Sequence, residues 1–96
     1  MKYTKATAQG AFERLSEALG KSTVAYHRGD NGNLTANVGA WVLDYNATYG
    51  GAVIEEIVNQ GGGVTRPLTE YRLKLFEFCV MCWSIRKALS IAETAR

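Results

Sequence analysis

The stretch from Thr69 to Thr94, TEYRLKLFEFCVMCWSIRKALSIAET, constrains this chain more than any other. It contains neither Gly nor Pro, and its apolar residues recur at helical spacing. Tyr71, Leu75, Phe78, Cys82, Ile85 and Leu89 step by four and three residues, which stacks them on one face of a helix. A second stripe, Leu73, Phe76, Val80 and Trp83, runs along roughly the opposite side. A helix that is apolar on two faces needs two covers. One is the chain's own sheet. The other is the first helix or another molecule. A symmetric helix-to-helix contact through Leu73, Phe76, Val80 and Trp83 would make the protein a homodimer.

The 96 residues fit a single domain, 1–96. A chain of this length buries roughly 60–70 % of its unfolded surface, enough for one thin core between two layers. A hydrophobic content of 47 % belongs to a globular protein and argues against disorder. The formal charge of +2 is too weak to imply a polyanion partner. No apolar run approaches the ~20 residues of a membrane span, and the N-terminus has no signal-peptide core. The expected location is cytoplasmic.

Upstream, Thr4 or Lys5 to Leu19 is helical, with Ala8, Ala11, Phe12, Leu15, Ala18 and Leu19 on one side. Thr4 is placed as its N-cap and Gly20 as the left-handed residue that closes it. Gly10 is read as a point of close packing against Trp83 or Phe76. Ser22 to Arg28 alternates as a strand, and Asn31-Gly32 then predicts a type I′ hairpin. The returning strand, Leu34 to Tyr45, is interrupted at Gly39 by a bulge or bend. Ala52 to Val58 is a third strand. A helical reading of Ala52 to Asn59 stays open, though the flanking glycines and β-branched residues favour strand. Gln60 to Gly63 is a flexible connection. Thr69 is the expected N-cap of the last helix, with Leu68 and Leu73 as a hydrophobic staple. The architecture is therefore α+β, α-β-β-β-α: an antiparallel three-stranded sheet with an N-terminal and a long C-terminal helix, both on one face.

Little in the chain has the pattern of catalysis. Cys79 and Cys82 form a C-x-x-C, but it lies inside the helical stretch rather than at a helix N-terminus, where the dipole would activate a thiol. Zinc would need further ligands, and His27 is the only histidine. The cysteines are read as small, reduced core residues. His27 has no neighbouring carboxylate or nucleophile to make it a base. Glu55 and Glu56 are adjacent on a strand and point to opposite faces. Arg28-Gly29-Asp30 and Asn46-Ala47-Thr48 match an integrin tripeptide and a glycosylation acceptor, both without the extracellular context those need. The expectation is a protein that is not an enzyme and uses no cofactor or metal.

The most distinctive run is Trp41-x-Leu43-Asp44-Tyr45-Asn46-x-x-Tyr49-Gly50-Gly51. Asp44 and Asn46 can cap a turn through side-chain bonds to the backbone, with Tyr45 and Tyr49 bracing it. Asp44, Tyr45, Asn46, Tyr49 and Arg66 are the candidate residues for binding a protein partner. The alternative is a single-stranded nucleic-acid binder that stacks bases on Tyr45 and Tyr49 beside Arg66, Arg72 and Lys74, which the modest charge disfavours.

The order of parts, a helix, then W-x-LDYN with YGG, then a GG turn and a final helix, resembles short, uncharacterised phage and prophage proteins. The similarity covers Ala40 to Leu89 and rests on a turn signature. It implies a mobile-element origin. It does not name an activity, but proteins of this size from that source often act by stoichiometric binding to a host factor, including inhibitors of defence systems such as anti-CRISPRs.

Overall fold

The computed structural model describes residues 2–95. Helix α1 spans Lys5–Ala18. It starts at a capping box: the Thr7 N–H donates to Thr4 Oγ1 at 3.2 Å and the Thr4 N–H to Thr7 Oγ1 at 3.3 Å. It ends at Gly20, whose φ of 69° permits Lys21 N–H to reach back to Ser16 O at 2.8 Å and Gly20 N–H to Glu17 O at 3.0 Å. Both ends are as the residues predict. Gly10 is not a packing point, because a Cβ there would meet nothing within 4 Å.

Strands β1 (Tyr26–Arg28) and β2 (Leu34–Ala36) form a short antiparallel hairpin, in which Arg28 pairs with Leu34. The type I′ expectation fails here. Only Gly32 has a positive φ, and the turn is closed by Gly32 N–H to Gly29 O at 2.9 Å and Gly29 N–H to Asn33 O at 2.9 Å. The strand expected from Ser22 is also shorter, since Ser22 and Val24 give their carbonyls to the Trp41 N–H and the Asn37 side chain.

Gly39, at φ 94°, turns the chain out of the hairpin, so the expected second strand divides between two sheets. Its second half is β3, Trp41–Asn46, which pairs antiparallel with β4, Gly51–Ile57. The third strand of that sheet is β5, Val64–Thr65, paired with Glu56 and Ile57. The glycine-rich connection therefore leads into a strand, and the three-stranded sheet is built from β3, β4 and β5.

Helix α2, Leu75–Thr94, begins later than Thr69. The Thr69 hydroxyl donates to Tyr71 O at 3.0 Å instead of capping, and Lys74 occupies the N-cap position in extended conformation. The reason is tertiary. Leu73 bridges to Ala52, with N–H to O distances of 2.8 Å in both directions, so its backbone cannot also enter a helix.

The helices cover one face of the sheet, α1 over β3 and α2 over β4. The core there unites Ala8, Ala11, Phe12 and Leu15 of α1 with Trp41, Ala52 and Ile54 of the sheet and Phe78, Cys79 and Cys82 of α2. Burying each of Phe12, Phe78, Leu15 and Ile54 contributes about 2–3 kcal/mol before conformational entropy is charged. On the other face a smaller cluster joins Ala36, Ala40 and Ile57 with Ala25 and Val42.

Candidate functional site

The helical face that the core leaves free carries Phe76 and Val80, with Trp83 at its border. Phe76 is 56 % exposed and Val80 39 %, and Trp83 is half-buried. Phe78, Cys79 and Cys82 turn inward, which turns Phe76 and Val80 outward on a 3.6-residue period, while Trp83, one turn on from Cys79, packs in part against the core. Leu73, expected in the same stripe, is a correction: it precedes α2 and is half-buried against the core through its bridge to Ala52. In its place stands Tyr3. Its ring meets Phe76 edge-on at 5.2 Å and 82°, and lies 6.1 Å from the Trp83 ring. Tyr3 precedes the expected first helix, where no periodic pattern could single it out.

The chain exposes more surface than a typical monomeric protein of its mass. It exposes 6324 Å², against about 5,400 Å² for a monomeric protein of this size. Its Cα radius of gyration is 14.6 Å, within a flat outline of 44 × 41 × 22 Å. A compact chain of this length has a radius near ~12.5 Å.

The five residues expected to form a binding patch do not share one surface. Tyr45 turns toward the helices and packs against the core, with Lys5 Nζ 6.0 Å from its ring centre. Asp44 turns to the opposite face, where it is paired with Arg72 at 2.7 Å. Arg66 lies on that second face too, 3.6 Å from Glu55. Asn46 makes the turn: its Oδ1 accepts from the N–H groups of Thr48 at 3.0 Å and Tyr49 at 3.3 Å. Tyr49, 74 % exposed at the tip, braces nothing. Asp44 thus has an ionic role across the sheet rather than a capping role in the turn.

Arg72 is the residue the sequence did not single out for structure. One guanidinium nitrogen donates to Asp44 O at 3.2 Å and Gly51 O at 3.1 Å, and the other donates to Asp44 Oδ2 at 2.7 Å. It clamps the ends of β3 and β4 to the segment that leads into α2. With Arg66 on Glu55 as well, two of the three cations named for nucleic-acid binding are already spent on carboxylates.

His27, Trp41 and Lys21 make contacts within the fold. His27 Nδ1 is bonded to Asn37 Oδ1, and Asn37 in turn donates to Val24 O at 2.6 Å, which ties the hairpin to its approach. The Trp41 indole N–H donates to Glu56 at 2.7 Å, and Lys21 sits 3.5 Å from the same carboxylate and 5.7 Å from the Trp41 ring. Cys79 and Cys82 are free and buried. Burial pushes the Cys82 thiol up to about 12, with Cys79 adding to the rise, and burial raises Cys79 also. Thiols held protonated are poor nucleophiles and poor metal ligands. Among the described residues no three His, Cys, Asp or Glu side chains gather to hold a metal. No helix among the described residues is long and apolar enough to cross a membrane.

Comparison with family models, with curated proteins and with solved structures finds no match.

Proposed function

We propose that the chain is a non-enzymatic protein-binding module that acts as a homodimer. The observation that carries this is the aromatic stripe on the outer face of α2: Phe76 and Val80 exposed, flanked by Trp83 and by the ring of Tyr3. A twofold axis through this stripe lets each copy cover the other's apolar residues with the same patch. The excess surface, roughly 900 Å² over a typical monomer, is close to the ~800 Å² that each partner of a stable complex buries.

The accessory role, stoichiometric occupation of a host factor by a mobile-element protein, rests on the Trp41 to Gly51 pattern. The Asn46-capped turn with Tyr49 at its tip is the surface we assign to that second protein. Substitution tests the dimer. Phe76→Asp places a charge in the contact and Trp83→Ala removes its largest ring, and light scattering should then report monomers with an unchanged circular dichroism spectrum. Variants that stay dimeric would remove α2 as the contact.

A further inference from the structure

Beyond Trp41 the backbone of β3 is bonded on one side only. Ala40 O accepts from Ile57 N–H at 2.9 Å, so the even-numbered residues of this stretch turn their groups toward β4. Trp41 N–H points the other way and donates to Ser22 O at 2.8 Å. In an antiparallel ladder the N–H and C=O of one residue face the same side. Leu43 and Tyr45 therefore also turn theirs away from β4, and among the described residues no backbone group reaches them. The corresponding positions on the far side of β4 are used: Ala52 by Leu73 and Glu56 by β5.

Open edges are normally blunted by proline, lysine or a bulge. The run Trp41-Val-Leu-Asp-Tyr-Asn46 has none of these, and its register with β4 is unbroken. Its one charge, Asp44, is neutralised by Arg72. Beside the edge stands one cation without a carboxylate partner among the described residues. Lys5 reaches the Tyr45 ring, with its ammonium 6.0 Å from the ring centre.

From these observations we propose that the outer edge of β3 binds an extended acidic segment of another protein by strand addition. Leu43 and Tyr45 supply the backbone bonds, and Lys5 meets a carboxylate of the segment. A second copy of this chain is the poorer occupant. Antiparallel β3 strands would sit about 4.8 Å apart and bring both α1 helices to one face, where helices need about 8–10 Å between axes. A segment without a helix meets no such obstacle. This surface is separate from the α2 contact.

Amide hydrogen exchange read by NMR tests the assignment, with a blocked octapeptide alternating Val and Glu as the probe. At saturation the Leu43 and Tyr45 amides should slow by about tenfold or more, and a Val-Lys octapeptide at the same concentration should leave them unchanged. Lys5→Glu should weaken the Val-Glu peptide about two- to fivefold. Phe76→Asp should bind the peptide as the wild type does, which separates this edge from self-association. Unchanged exchange at millimolar Val-Glu peptide would overturn the proposal. So would Leu43 and Tyr45 amides already as protected in the free protein as those of β4. Equal binding of the Val-Lys peptide would overturn its acidic chemistry.

Discussion

The carbonyl oxygen of Leu73 lies 2.0 Å from where a Cβ on residue 51 would stand, so only glycine admits the bridge between Leu73 and Ala52. The φ of 126° at Gly51 adds a second reason, since side chains are strained there. The consequence is global: the bridge delays the start of α2 to Leu75 and brings Phe78, Cys79 and Cys82 against Ile54 and Ala52.

Gly51→Ala is therefore expected to cost about 2–4 kcal/mol, from backbone strain and from loss of the bridge. Gly50 has nothing closer than Arg72 Cβ at 4.0 Å. Gly50→Ala should pay only for its own positive φ, about 1–2 kcal/mol. Urea denaturation of the two variants measures the difference, and equal losses would show that the bridge adds nothing.

A smaller effect is expected at Arg72. Its guanidinium serves three acceptors on two strands, which a lysine ammonium cannot reproduce in that geometry. Arg72→Lys should lower stability by about 1–2 kcal/mol in the same denaturation experiment. Asp44→Asn should cost less, because the carboxylate is partly exposed, screening weakens the ionic part, and the amide oxygen still accepts.

The cysteines predict a pH dependence with a definite sign. Both thiols titrate higher in the folded protein than the ordinary value of 9.0, because burial disfavours the thiolate. Their contribution is whole below pH 9 and is lost as pH rises from there toward 12, where only the unfolded chain ionises freely. Thermal melts between neutral pH and pH 10 should show this alkaline loss, and the Cys79→Ala, Cys82→Ala double variant should show a shallower one. At neutral pH a thiol reagent should label the native protein only at the rate of local opening.

These examples also mark how far the residues alone could be read. The caps of α1 were legible because capping chemistry is local: Thr4, Thr7 and Gly20 act within one turn. Part of the inward face of α2 was legible too, since Phe78 and Cys82 follow the helical period, but Tyr71, placed on the same face, precedes the helix and is exposed. Leu73 fits that period equally well, and what removes it from the helix is a bond to Ala52, distant in the chain. The two-residue strand β5 has no local signature and exists only by pairing with Glu56 and Ile57. Asp44 and Arg72 meet for the same long-range reason, which is why Asp44 was read as a turn cap. Adjacent strand residues face opposite ways, so Asp44 and Tyr45 could not belong to one patch.

The central claim is that Phe76, Val80, Trp83 and Tyr3 are covered by a second copy of the chain. Sedimentation equilibrium of the wild type at micromolar concentration tests it most directly. The account predicts a mass twice the 10.5 kDa of one chain, falling to the single-chain value for Phe76→Asp. A wild type that sediments as a single chain at that concentration would contradict it.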